Sequence, residues 1–167
     1  NGQFALDQQD EAAATIAYQR ALMIIPGDPI AENGRRRATL LPKISALFRD
    51  LDRSLLRSDL KRARTTLDEL QGLDPNTNGL REALANLLDL EKEAQYKRFV
   101  SEGFAALRKK RFDASTSSFD KALVLKPGDS VAIDGLNQTK QNRLLTQLDE
   151  LRSTAELAKK EGRWADA

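Results

Sequence analysis

Three of the five prolines set the register of the whole chain. Ile24-Ile25-Pro26-Gly27-Asp28, Leu73-Asp74-Pro75-Asn76-Thr77 and Leu125-Lys126-Pro127-Gly128-Asp129 are versions of one helix stop. Proline has no amide proton to give a helix and its ring clashes with the preceding turn, and the Gly or Asn after it tolerates the reversal. Two residues beyond each proline stands Asp28, Thr77 or Asp129, whose side-chain oxygen can accept a free amide proton of the next helix. Pro29 takes the favoured first helical position. Counting from the same prolines recovers a repeating unit. Five residues before lie Ala21, Leu70 and Ala122; eight before, Tyr18, Leu67 and Phe119; twelve before, Ala14, Ala63 and Ser115. Those offsets share one helical face. Twenty-four before lie Gly2, Leu51 and Gly103, and eight after lie Gly34, Ala83 and Gly135.

The stretch from Phe99 to Asp129 shows the unit whole, as two helices and a stop. Gly103, Ala106 and Ala122 are small enough to let two helix backbones approach, and Phe99, Phe112 and Phe119 fill the space beside them. A fourth copy begins near Leu151, with Ala155, Ala158, Gly162 and Trp164 at the positions of Gly103, Ala106, Lys110 and Phe112. Ala167 aligns with Ser115 and Gly2 with Gly103, so both outer copies read as clipped and the chain as a fragment of a longer array.

Composition supports helix throughout. The chain is rich in Ala, Leu, Lys, Arg, Glu and Gln, which are good helix formers. Val and Ile never alternate with polar residues over a strand length, so no sheet is expected. With no Cys and no His, thiolate or imidazole catalysis, disulfides and zinc sites of those ligands are excluded. A formal charge of +2 gives no case for nucleic acid. No apolar run reaches the roughly 18 residues of a membrane span, so no membrane insertion by this segment is expected. The missing Cys fits the cytosol and the bacterial periplasm equally. The period and style of the sequence point to a bacterial protein, of the cell envelope or the cytoplasm.

The unit resembles a tetratricopeptide repeat, the helix–turn–helix motif marked by aromatic, small and proline positions. The resemblance implies an all-α fold of antiparallel helix pairs stacked into a right-handed superhelix, an α-solenoid. It implies one repeat domain over 1–167, with copies at roughly 1–28, 43–77, 96–129 and 148–167. The period departs from the family. Pro26 and Pro75 are 49 residues apart and Pro75 and Pro127 are 52 apart, where a plain repeat has about 34. The excess follows each proline. From Gly79 to Lys110 and from Ser130 to Glu161 only isolated Gly interrupts the helical pattern, which predicts long helices of roughly 30 residues, about 45 to 50 Å. Pro42 is expected to kink or break the corresponding helix between Leu41 and Lys43.

The chemistry visible in the sequence is sparse. Arg35-Arg36-Arg37 and Arg108-Lys109-Lys110-Arg111 read as solvated helix surface, or as contacts for phosphate or an acidic peptide. Acidic pairs such as Asp89 with Glu91 and Asp149 with Glu150 lie among Lys and Arg, not in a cleft pattern that would tune a general acid. No phosphate loop, nucleophile elbow or metal-ligand spacing appears. No catalysis and no cofactor are therefore expected. In tetratricopeptide repeats the ligand-facing residues come mostly from the first helix of each unit. Carried onto this sequence, the resemblance implies a partner-binding face of Phe48, Asp52 and Leu55 in the second copy, Lys97, Val100, Phe104 and Arg108 in the third, and Arg152, Glu156 and Lys159 in the fourth. The Lys and Asn clamp of chaperone-tail-binding repeats is absent. The partner is expected to be a protein or peptide, and the clipped ends could self-associate, with Ala155, Ala158 and Trp164 partly uncovered. Circular dichroism should report about 75% helix or more, well above the third typical of globular proteins; a measurable strand fraction would refute the all-helical reading.

Overall fold

The structure, a computed structural model, describes residues 1–160 and 162. These form seven α-helices: α1 (Gly2–Asp7), α2 (Glu11–Ile24), α3 (Pro29–Leu56), α4 (Leu60–Leu73), α5 (Leu80–Arg108), α6 (Phe112–Leu125) and α7 (Ser130–Lys160). No strand occurs among the described residues. Short helices alternate with long ones. α3, α5 and α7 run for 28, 29 and 31 residues without interruption.

Local chemistry explains most of the boundaries. Asp10, Asp28, Asp59 and Asp129 each accept an amide proton from the first turn of the following helix through the side chain, an arrangement that stabilises a helix start by about 1 kcal/mol. Thr77 does not cap as expected. Its hydroxyl is buried without a partner among the described residues. Gly79, at φ +81°, inserts a further turn before α5 begins at Leu80. The turns that follow α1, α3 and α5 share a left-handed residue: Gln9, Ser58 and Lys110 have φ of 58°, 56° and 54°, and Gly162, just beyond α7, has 75°. Left-handed backbone suits Gly and strains other residues.

Pro42 does not break α3. Ala38, Leu41 and Ile44 are buried on the face around it, while the proline ring is exposed. Packing of that face outweighs the backbone hydrogen bond lost at the proline.

The chain falls into two compact units, Asn1–Leu90 and Glu91–Ala167. The first contains two layers that share α3. Ala5, Leu6, Ala14, Ala38 and Leu41, with half-buried Tyr18, form the core of α1, α2 and the start of α3. Ile44, Leu51, Ala63, Leu67, Leu70, Leu80 and Leu87 form the core of the rest of α3, α4 and the first turns of α5. A buried-edge ion pair from Arg37 Nε to Asp74, at 2.7 Å, ties α3 to the turn before α5. In the second unit Tyr96, Phe119, Ala122 and Ala132 join α5, α6 and α7, flanked by Phe99, Val100, Phe104 and Leu136.

The centre of this second core is the Phe119 ring, which is fully buried. It lies between Gly103 of α5 and Gly135 of α7. A methyl carbon placed on Gly103 would sit 2.7 Å from the ring, and one on Gly135 closer still. The first layer repeats the device, with Tyr18 between Gly2 and Gly34. In the middle layer Leu67 replaces the ring, and Leu51 and Ala83 replace the glycines. One turn along from Phe119, Ser115 Oγ bonds the Gly103 carbonyl at 2.9 Å and Thr139 Oγ1 bonds the Gly135 carbonyl at 2.7 Å. The two hydroxyls are 2.9 Å apart. The corresponding positions elsewhere are Ala14 with Ala38 and Ala63 with Leu87.

Two substitutions test this packing. Gly135→Ala should destabilise the second unit by about 1–3 kcal/mol through overpacking against the ring. Phe119→Ala should cost about 3–5 kcal/mol through the cavity left behind. Urea unfolding would measure both, and a midpoint that barely moves in either variant contradicts the described packing.

Candidate partner-binding surface

Within the second unit, the last turns of α5, the turn at Lys110 and the start of α6 face α7 across a groove of about 360 Å³. Phe104, Leu107 and Phe112 supply apolar surface, Arg108 and Lys110 supply charge, and Gln138, Asn142 and Thr146 of α7 supply neutral polar groups. The floor is anchored in the core, because Phe104 meets Phe119 edge to face with centroids 4.9 Å apart and planes at 78°. Arg108 and Lys110 are exposed, and neither makes an ion pair or side-chain hydrogen bond among the described residues. Asp113, beside Phe112 in sequence, is engaged by Arg143 of α7 at 2.5 Å. As the last residue of α5, Arg108 also meets the negative end of the helix dipole.

The expected partner-facing residues are spread over both units. In the first, Phe48 is half-buried and its ring reaches 3.8 Å from the Cβ position of Gly79. Leu55 packs against the α3–α4 core, and Asp52 is exposed. In the second, Phe104 and Arg108 line the groove, whereas Lys97 and Val100 do not. Lys97 is exposed and pairs with Glu93 at 3.7 Å along the same helix. Val100 packs against the Phe119 core. Arg152 and Glu156 form an exposed pair at 3.4 Å on α7, with Lys159 exposed one turn on. Ala155 is half-buried, in line with a partly uncovered position, whereas Ala158 is buried, against the expectation that it lies partly uncovered. Trp164 lies outside the described residues.

Three groove residues, Gln138, Asn142 and Thr146, escaped the sequence reading because it sought partner contacts only on first helices. Their signal is faint: polar residues at every fourth position, beside the buried line of Ala132, Gly135 and Thr139. Of the two basic runs, Arg37 is not solvated surface, because Asp74 holds it at 18% exposure. Among the described residues, no group of three or more acidic side chains is placed to hold a metal ion. No helix among them is long and apolar enough to cross a membrane.

A cluster of charged and polar side chains lies in the second unit where the α6–α7 turn meets α5. Tyr96 donates to Asp129 at 2.6 Å, and Lys126 pairs with Glu93 at 2.5 Å while its Nζ sits 4.3 Å from the Tyr96 ring centre. The Asp129 hydrogen bond, with burial and the nearby carboxylate charges, pushes the Tyr96 phenol up to about 12. The same bond, then that from the Ala132 amide, holds Asp129 below the ordinary carboxylate range. Glu93 is held low chiefly by its hydrogen bond from Lys126.

Comparison with protein-family models, with curated proteins and with solved structures found no match.

The tyrosine shift gives a direct test. Because folding raises the phenol's pKa, its contribution to stability is complete below pH 10 and is lost as pH rises from there to about 12. Folding lowers the pKa of Asp129, so its contribution is present above the ordinary 3.8 and disappears as pH falls below it. In a Tyr18→Phe background, phenolate absorbance should report one tyrosine titrating near pH 12, and Asp129→Asn should bring it down toward 10. A parent midpoint already near 10 would mean that the Tyr96–Asp129 bond is not made.

Proposed function

We propose that this chain is a non-catalytic, tetratricopeptide-like scaffold that binds a protein or peptide partner through its first-helix faces. The observation that carries the reading is the groove beside Phe104 and Arg108, which combines anchored apolar surface with unpaired charge. Small hydrophobic anchors of this kind carry most of the affinity of a protein interface, and the charges around them set orientation and partner choice. Three long helices, proline stops at matching positions and the ring-between-glycines packing support the repeat assignment. On this reading the helix pairs stack as a right-handed solenoid. Phe48, Asp52 and Leu55 are then the corresponding first-helix residues of the first unit, and Arg152, Glu156 and Lys159 those of α7.

A partner recovered by pull-down and measured by calorimetry tests the proposal. Arg108→Glu should weaken binding, most strongly at low salt. Phe104→Ala should weaken it by about 1–2 kcal/mol or more, with circular dichroism as the folding control because Phe104 also touches Phe119. If both bind like the parent while exposed changes on the short helices, such as Glu69→Lys or Lys121→Glu, abolish binding, the partner uses the other face.

One observation favours a second reading, a structural or oligomerisation segment. Leu144, Leu148 and Leu151 form an exposed stripe along α7, at 58%, 53% and 67% exposure. Light scattering against concentration separates the two, since an oligomerisation segment should self-associate and Leu148→Glu should abolish that association.

A further inference from the structure

Resting on the scaffold reading, we propose that the groove between α5, α6 and α7 takes an extended acidic peptide segment bearing one bulky apolar side chain. Charge complementarity selects the acidic character. Arg108, Lys109, Lys110 and Arg111 are four consecutive exposed cations, and none has a carboxylate partner among the described residues. No carboxylate lines the groove itself; Asp113 at its edge is neutralised by Arg143, and Asp149 and Glu150 line the adjoining cleft beyond Lys110 and Thr146. Bringing four cations together at one helix end is unfavourable alone, and an anionic ligand relieves that repulsion.

Shape selects an extended chain. Gln138, Asn142 and Thr146 stand four residues apart on α7, so their side chains follow one another at about 6 Å along the helix. An extended peptide repeats same-side backbone groups every second residue, at about 6.6 Å. The amides of Gln138 and Asn142 can each donate and accept, as a peptide backbone requires. The opposite wall, Phe104, Leu107 and Phe112, offers the apolar seat for a single large side chain, and about 360 Å³ suits one such anchor rather than a folded domain. Single-stranded nucleic acid also carries negative charge, but its binders stack successive bases on free aromatic faces. Phe104 is half-buried and held edge to face on Phe119, so its ring is committed to the core.

The test uses the full chain and fluorescence anisotropy with short labelled probes: an Asp/Glu-rich peptide with one central Phe, its Phe-to-Ala version, its Lys-rich version, and a single-stranded oligonucleotide. The acidic Phe peptide should bind best, losing roughly tenfold or more when the Phe or the acidic residues are replaced. Lys110→Glu and Arg108→Glu should weaken the acidic peptide and strengthen the Lys-rich one, an exchange of preference that misfolding cannot produce. Equal binding of acidic and basic peptides, or unchanged preference in both variants, overturns the proposal. Tighter binding of the oligonucleotide than of any peptide overturns it in favour of a nucleic-acid surface. A pulled-down partner that occupies the groove without dependence on Arg108 or Lys110 sinks the acidic assignment alone. A partner bound on the short helices sinks the scaffold face as well.

Discussion

The packing of the second unit rests on one ring held between two glycines. Phe119 reaches from α6 to Gly103 of α5 on one side and Gly135 of α7 on the other, and neither position can accept a side chain without displacing the ring. Three helices are thereby set at distances and registers that no pair of them would fix alone. Ser115 and Thr139 reinforce that register. Their hydroxyls are buried at 0% and 1% exposure and bond the carbonyls of the same two glycines. Sliding α5 along α6 would strand the buried Ser115 hydroxyl, a loss of about 1–3 kcal/mol, whereas Thr139 keeps its bond to Gly135 within α7 and meets α6 through Ser115. The first layer keeps the ring and the glycines but has Ala14 and Ala38 at the hydroxyl positions. Steric fit is therefore the requirement these two layers share, and the polar pair belongs to one of them.

Much of this was legible because proline punctuation is local and periodic. Counting from Pro26, Pro75 and Pro127 locates the ring, both small residues and the hydroxyl position without any knowledge of the fold. Two features resisted. Pro42 reads as a helix breaker, yet α3 passes through it, because tertiary burial of Ala38, Leu41 and Ile44 outweighs a local penalty that the sequence states alone. Thr77 reads as a cap, yet the Asn78-Gly79 turn moves the helix start beyond its reach, since Gly79 admits a left-handed step. The groove was legible only on one wall. Phe104 and Arg108 lie on α5, where the first-helix expectation placed them, while Gln138, Asn142 and Thr146 lie on turns of α7 that the expectation did not cover.

The fold also explains why charge gathers at the groove. α5 must end where Lys110 adopts φ 54°, and the chain reverses there into α6. A helix C-terminus is a favourable place for cations, which offsets part of the mutual repulsion of Arg108 to Arg111 at that reversal. The same reversal sets Phe112 beside Leu107, giving the cations an apolar neighbour. By contrast, the ionic groups at the far turn are spent on each other. Lys126, Glu93, Tyr96 and Asp129 satisfy one another and leave little for a ligand.

The continuity of α3 changes how the first unit comes apart. In an ordinary repeat array each unit meets the next across a side-chain interface, and stability behaves as a one-dimensional chain of units with modest nearest-neighbour terms. Here the neighbours are joined by the interior of a single 28-residue helix, whose first half closes one core and whose second half closes the other. A boundary between a folded and an unfolded layer would have to fall within that helix, opening successive backbone hydrogen bonds and creating two new frayed ends. The domain wall is costly, so the layers melt together, and amides in the middle of α3 exchange with solvent only when the whole unit opens.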